Sequence, residues 1–508
     1  MTDSRRGFTR REVLELGALS GLTAGLATIT AEADTPPIPR SATGQPRNIV
    51  FLVADGMSLG VPSLAEPFSV MVRSRGTHWH ALLRTPDVVR GFSETHALNT
   101  LVTDSSAAVS AWGTGSRVFN GALNVLPDGT HLTPIGSLTR QSGRRVGLVT
   151  TTRLTNATPA GFAAVQAHRG DEHLIAPQFL DVVDVLLGGG RDKFAAGHRE
   201  DKRDLLGEFV GAGYTLWDHR RQVVDGQRPP KVLGLFADAH LPYTIDQRND
   251  ADLAERVPTL AEMTSAALRL LADDERGFLL QIEGGRVDHA AHGNDAGGIL
   301  WDQLAFDDAI GVALEFARRR GDTLVIVTAD HGCANPGLNG MGRGYKDSTS
   351  CFELLAKARS SYPGIWDRLH KGASESEPPT VETLADITGE AFGIELATDE
   401  LAAIRDAIAG TNTPDLSIQQ RKLVATLGQI LGNHTGIGWT GVRHTEDMVL
   451  LSALGPGAER FAGLQRNTNV YRHMAELFGI AHRNPSMSVE QARPYFASAP
   501  AEDSPHWA

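Results

Sequence analysis

Cysteine is nearly absent from this chain of 508 residues. Only Cys333 and Cys351 occur, which excludes a disulfide framework and a Cys-rich zinc fold. Two free thiols are the expectation, with a single bridge as the alternative. Basic charge is also scarce: 48 Lys and Arg stand against 60 Asp and Glu, for a net charge of −12. Only 7 of the 48 are lysine, a pattern of coding bias more than of function. Such a chain lacks the basic face of a nucleic-acid binder. Nor can its overall field gather anionic substrates, so any anion must be attracted locally, by a metal or an arginine. Past the N-terminus no stretch is long and apolar enough to span a bilayer. What the chain does have is core-forming material. With 41% hydrophobic residues, wholesale disorder is excluded, and one large α/β domain or two to three smaller ones fit the length.

The first residues read as an address. Arg10-Arg11 precede a mostly apolar stretch from Val13 to Ile29, followed by Ala31-Glu32-Ala33. A charged start, an apolar middle and a small-x-small exit make a secretory signal, here residues 1–33 with the cut after Ala33. Thr9-Arg10-Arg11-Glu12-Val13-Leu14 adds a twin-arginine feature, and Arg5-Arg6 offers a rival register. A membrane anchor is the competing reading, but Glu12, Glu15 and the many Gly and Ala weaken it. Residues 34–47, with Pro36, Pro37, Pro39 and Pro46, form an extended linker. The predicted destination is the periplasm or the exterior of the cell.

Short apolar runs then recur, each ending in Asp, Glu or Gly: NIVFLVADG at 48–56, RVGLVTTT at 145–152, GFLLQIEG at 277–284, DTLVIVTADHG at 322–332 and MVLLSALGPG at 448–457. Segments with helical patterning, such as 260–273 and 301–320, lie between them. Near-continuous Val, Ile and Leu runs suggest strands buried on both faces. The alternation predicts an α/β fold with a central, mostly parallel sheet and helices on both faces. Residues 195–258 and 395–440 break the pattern and are read as decorations on one catalytic domain spanning 48–485, with 486–508 as a tail. Gly188-Gly189-Gly190 lack a following Lys-Ser/Thr, so a turn is the better reading than a P-loop. In such sheets ligands gather at the carboxyl ends of strands, where the acids and the histidine of these runs fall.

Taken singly, several of those residues have bland readings. Asp55 before Gly56 is a common turn, and Ser105 at the mouth of an Ala-rich helix is a common cap. The functional reading of Ser105 puts its hydroxyl where helix amides favour an alkoxide and an incoming phosphate. The stretch 156–159 with Arg169 beyond it is by itself a loop. The segment 283–292 is stronger. Asp288 and His292 are four apart, so on a helix they share a face and can grip one metal. Asp330-His331 closes a very apolar strand, a costly placement for ionisable groups unless a metal compensates.

These motifs resemble the alkaline phosphatase family of the bacterial, exported, two-zinc-plus-magnesium type. The resemblance runs from about Asn48 to Leu477. It is carried, in order, by VADGM at 53–57, TDSSAAVSAWGTG at 103–115, TTTRLTNATPAG at 150–161, QIEGGRVDHAAH at 281–292, TADHG at 328–332 and RHTED at 443–447. The tail GPGAERFAGLQRNT at 455–468 is similar to the family's final strand and turn. The resemblance implies Ser105 as the nucleophile that becomes phosphoserine. It implies one zinc on Asp288, His292 and His444 and another on Asp55, Asp330 and His331. A third site, for magnesium, would take Asp55, Thr158 and Glu283, and Arg169 would clamp two phosphate oxygens in a fork that lysine cannot reproduce. A homodimer is implied, with small phosphomonoesters as substrates and no membrane anchor after signal cleavage. Two departures stand out. Well-known bacterial members carry Asp and Lys where this chain has Asn156 and His289, positions expected to border the third metal. His434 is a rival for His444, since both are followed by Thr; His444 is favoured because it precedes the last apolar strand.

The chemistry agrees with that arrangement. A phosphomonoester dianion needs its leaving group stabilised, its nucleophile deprotonated and its charge neutralised, and two metals about 3.5–4 Å apart can do the first two. Zinc, magnesium and Arg169 outweigh four carboxylates and an alkoxide, so a local cationic centre forms inside an acidic protein. Fold alone does not separate phosphatases from sulfatases or phosphodiesterases. Ser105 lies outside a Cys/Ser-x-Pro-x-Arg sulfatase motif. Diesterase relatives commonly use threonine and lack the third site, while a non-catalytic phosphate-binding protein would be expected to lose Ser105 or a ligand. The expected activity is therefore metal-dependent hydrolysis of phosphate monoesters, with a phosphodiesterase or an exported phosphate binder as alternatives.

Overall fold

The computed structural model describes residues 44–370, 379–410 and 423–500. The expected signal 1–33, residues 34–43 of the linker and the last residues of the tail lie outside this range. Fourteen strands occur among the described residues: β1 (Asn48–Ala54), β2 (Val89–Ser93), β3 (Arg145–Arg153), β4 (Val185–Gly189), β5 (Thr215–Trp217), β6 (Val232–Leu235), β7 (Phe278–Gly284), β8 (Thr323–Ala329), β9 (Gly332–Cys333), β10 (Gly337–Leu338), β11 (Ile437–Gly438), β12 (His444–Thr445), β13 (Val449–Leu454) and β14 (Gly463–Gln465). Ten of them form one sheet in the order β14-β2-β13-β8-β1-β7-β3-β4-β6-β5. Every pairing is parallel except those of β13, which runs against both β2 and β8. The α/β architecture with a mostly parallel sheet is as expected.

The central strand shows why continuous apolar runs were needed. All seven residues of β1 are buried. Val50, Leu52 and Ala54 enter one core, while Ile49, Phe51 and Val53 enter the core on the opposite face. Successive side chains of a strand point to opposite faces, so both sets must be apolar. On the first face lie the helices Gly60–Arg73, Leu260–Leu271 and Ala296–Arg320. On the other, Phe51 meets Trp112 of the helix Ser105–Thr114 edge-on, with ring centroids 5.1 Å apart, and the helix Asn467–Leu477 packs beyond it.

Helix ends follow local chemistry. Leu260–Leu271 opens with a capping box between Thr259 and Glu262. Ala296–Arg320 opens on Asp295, whose carboxylate accepts from the Gly298 amide, and ends on left-handed Gly321 after three arginines that suit the negative end of the helix dipole.

Two expectations about the decorations change. Residues 195–258 supply β5 and β6 to the edge of the central sheet, and so belong partly to the fold itself. Strands of three and four residues amid charged, Pro-rich sequence leave too short a pattern to be read. With Phe352, Leu355 and Ala358 before it still packed into the main core, the helical material placed at 395–440 starts earlier, at Tyr362, and ends at β11. Its helices Tyr362–His370, Val381–Phe392, Thr398–Ile408 and Leu423–Thr435 share one separate core containing Ile365, Leu384, Phe392, Leu401 and Leu427. Two small antiparallel pairs close its root: β10 with β11, and then β9 with β12, where His444 stands opposite Cys333. The end of the domain and the tail reach back to the helix Ser105–Thr114 region, where the Ser116 hydroxyl donates to the Pro485 carbonyl and Phe496 of the tail packs on Phe119.

Candidate metal and phosphate centre

The four central strands β8, β1, β7 and β3 are parallel neighbours, so their carboxyl ends open on one place. Asp330 and His331 follow β8, Asp55 follows β1, and Glu283 lies at the end of β7, paired in register with Val53 and Thr150. The His331 Nε2 atom is 3.1 Å from Asp330 Oδ2 and 3.6 Å from Asp55 Oδ1. The same nitrogen is 3.4 Å from the Ser105 hydroxyl. Ser105 is the first residue of its helix, and the cap is Asp104, whose carboxylate accepts from the Ala107 amide. With capping assigned to Asp104, the Ser105 hydroxyl faces His331. The adjacent Ser106 is committed elsewhere, donating to Asp104 Oδ2 at 2.6 Å.

A second cluster adjoins the first. The helix Arg286–His292 puts Asp288 and His292 on one face, as their spacing predicted, with His292 Nε2 3.3 Å from Asp288 Oδ2. His444 joins them, its Nε2 lying 3.0 Å from that of His292 and 3.6 Å from Asp288 Oδ1. The other ring nitrogens are oriented by carbonyls: His292 Nδ1 by Val442 and His444 Nδ1 by Thr103. The rival His434 is far along the insertion, bonded to Glu400 at 2.9 Å. The rings of His331 and His444 stack with centroids 3.6 Å apart, which links the two clusters.

The third group is oxygen-rich. Thr158 donates to Asp55 Oδ2 at 3.4 Å, and Glu283 accepts from Thr150 and Thr152. Arg169 donates to Asp104 Oδ2 and to Asn156 Oδ1, both at 3.2 Å. His289 takes a different place from a free ring beside a metal. Its Nδ1 accepts from Arg286 at 2.6 Å, and its ring meets His240 edge-on. Burial and the Arg286 cation hold its pKa well below the usual imidazole range.

Charge makes the purpose of the clusters clear. Asp55 is pushed well above the usual carboxylate range by burial and by Asp330, Asp288 and Glu283 around it. Burial also raises Glu283 to about 7, with Asp330 adding to it. Asp55 Oδ1 and Glu283 Oε1 are buried without a hydrogen-bond partner among the described residues. Burial opposes ionisation of Asp288 and Asp330 as well, but His292 and His331 beside them hold both carboxyls below the usual range. Buried carboxylates crowded in this way are unfavourable by several kcal/mol unless cations compensate. Carboxylates and imidazoles are the donors zinc takes, and the all-oxygen group suits magnesium. The residues present therefore fit metal ions.

One backbone position guards this geometry. Gly56 has φ +65°, its amide donates to Asp330 Oδ1 at 2.9 Å, and a Cβ there would sit 2.2 Å from Asp288 Oδ1. Only glycine fits.

Four contributing residues escaped the sequence reading. Asp104, inside the TDSS motif, both caps the Ser105 helix and holds Arg169. Thr150 and Thr152 anchor Glu283, and their signal was the unusual run of threonines at the end of β3. Cys333 is buried beside Asp288, His292 and His444, and its nearness in sequence to His331 was the available clue.

Comparison with known proteins agrees with this geometry. The family model described as Alkaline phosphatase matches residues 46–480. Alkaline phosphatase 4 of Bacillus subtilis is 29% identical over 91% of this chain and 95% of its own. Alkaline phosphatase 3 of the same organism is 32% identical over 73% of this chain and 76% of its own. The crystal structure of Thermus thermophilus alkaline phosphatase superposes with a TM-score of 0.83 at 34% identity, covering 93% of this chain and 98% of that one.

Proposed function

Since the chain belongs to the alkaline phosphatase family and is a metal-dependent phosphomonoesterase, we propose that Ser105 is its nucleophile and passes through a phosphoserine. The observation that carries this reading is the Ser105 hydroxyl, 3.4 Å from His331 Nε2 at the edge of the buried, unpartnered carboxylates. Ser105 Oγ bonds to phosphorus as the ester P–O bond breaks and the alcohol leaves. Water then displaces Ser105 from phosphorus, restoring the hydroxyl and releasing phosphate. The helix amides behind Ser105 and the positive end of its dipole favour charge on that oxygen.

Arg169 holds the phosphoryl oxygens. Asp104 and Asn156 fix its guanidinium from two sides, so its fork is oriented before substrate arrives. Zinc on Asp288, His292 and His444, zinc on Asp55, Asp330 and His331, and magnesium on Asp55, Thr158 and Glu283 would supply Lewis acidity and positive charge to the two apical oxygens and the phosphoryl group. Carbonyl contacts from Val442 and Thr103 keep the Nε2 atoms of His292 and His444 aimed inward.

The test is direct. Ser105→Ala should lose turnover and the acid-stable phosphoenzyme, while Ser106→Ala retains both; the reverse pattern would refute the assignment. The same proposal includes export by the twin-arginine route, with a periplasmic or secreted mature chain. Among the described residues no helix is long and apolar enough to cross a membrane. Replacing Arg10-Arg11 by Lys-Lys should leave precursor in the cytoplasm. The homodimer is part of the proposal too, and sedimentation of the mature chain checks it.

A further inference from the structure

Cys333 is fully buried, and in the β9–β12 pair it stands directly opposite His444. Residues opposed in an antiparallel pair project from the same face, with side chains in contact. The cysteine sulfur is thereby turned toward the cluster that His444 completes. Ligand atoms of Asp288, His292, Cys333 and His444 all lie within 4.8 Å of one another. The surroundings point to an ion among them: Asp288 Oδ1 is buried, with His444 Nε2 3.6 Å away and the Cys333 thiol as its hydrogen-bonding neighbour. Two imidazole nitrogens, one carboxylate oxygen and one sulfur make a donor set that zinc takes readily.

We propose that Cys333 is a fourth protein ligand of the metal held by Asp288, His292 and His444, with the substrate oxygen as a fifth donor. The inference rests on reading those three residues as a metal set, and adds a donor to it. As the sulfur–metal bond forms, the S–H bond breaks and its proton passes to solvent, so atoms and charge balance. The consequence is selectivity. A thiolate is a soft donor that favours zinc and disfavours magnesium. Asp55, Thr158 and Glu283 offer only oxygen. The chain would thus sort its metals by donor type, with sulfur marking the site where magnesium must be excluded.

The test uses the full mature protein, stripped of metal and reloaded with cobalt(II) or zinc. Cobalt-loaded protein should show a sulfur-to-cobalt charge-transfer band in the near ultraviolet. Cys333→Ser should remove it, and Cys351→Ser should leave it intact. X-ray absorption of the zinc form should show a sulfur neighbour at about 2.3 Å. Zinc affinity at this site should fall at least about tenfold in Cys333→Ser. Nitrogen and oxygen neighbours alone in the unsubstituted zinc protein, with no cobalt band, would overturn the proposal even if Cys333→Ser failed to fold. Failure of the underlying reading is distinguishable: His444→Ala would then leave the zinc stoichiometry unchanged. If that variant loses one zinc while no sulfur signal is seen, only the cysteine assignment is refuted.

Discussion

Asp55, Asp330 and His331 directly follow neighbouring strands whose register is continuous over the seven residues of β1. His444 instead reaches Asp288 and His292 only after the chain has left β10, built a separate helical core and returned through β11. The first cluster is set by sheet register. The second depends on closing a long loop, which costs chain entropy and is repaid only by contacts at its root. Exposure follows the same division: the His331 side chain is 0% accessible, and that of His444 is 16%. A site assembled in this way has one rigid half and one half that local changes can loosen.

The largest effect should come from breaking the rigid half. Asp55→Asn would remove the donor proposed to serve two metals, so activity should drop by orders of magnitude, with loss of more than one bound metal by elemental analysis. Retention of full metal content would contradict the shared role. Next, the return segment can be displaced without touching a ligand. A Cβ on Gly332 would lie 2.5 Å from Thr445 Oγ1, so Gly332→Val should push β12 away from β9. Zinc stoichiometry should fall by one while the melting temperature moves little; a collapse of both together would mean that the halves are not separable.

Packing mutations in the two cores should separate the halves further. Leu401→Ala, in the insertion core, should cost about 2–5 kcal/mol locally and weaken metal binding at the His444 cluster alone. Phe51→Ala, in the sheet core, should cost about 3–5 kcal/mol and lower the stability of the whole domain. Denaturation followed separately by zinc release and by circular dichroism would distinguish the two. A smaller effect is expected at the third group. Asn156→Asp adds a carboxylate on Arg169, two residues before Thr158, and should tighten magnesium and hold the phosphate clamp more firmly. If phosphate release limits turnover, kcat falls as phosphate inhibition strengthens. Paired titrations with magnesium and phosphate check this.

The smallest predicted effect is one of pH. Burial raises Asp302 to about 7, against about 3.9 for the unfolded chain. Between those values the folded state holds a proton that the unfolded state has released, so this residue makes stability fall as pH rises from about 4 to 7. Asp302→Asn should flatten that part of the melting-temperature profile. An unchanged slope would show that Asp302 is ionised in the folded protein throughout.

Much of this was legible before folding was considered. Apolar runs ending in Asp55, Glu283 and Asp330 could only be buried strands with expensive ends, and the four-residue spacing of Asp288 and His292 could only share a face on a helix. Ser105 was legible as a helix start, though its rival reading as a cap fell only when Asp104 took that role. His444 and His434 were locally indistinguishable, each followed by Thr. The true extent of the insertion was hidden because its helices are amphipathic in the ordinary way, and the edge strands β5 and β6 are too short to carry a period.

The sequence by itself determined which residues would be buried at strand ends, because periodicity and the cost of burying charge are local properties of the chain. Tertiary structure alone decided which distant residues complete the site. His444 and Cys333 are brought together by a backbone ladder across more than a hundred positions, and Arg169 is oriented by Asp104 through a contact no spacing rule anticipates. Such partners are selected by the closure of the fold, where the energy of a contact depends on what else is already in place.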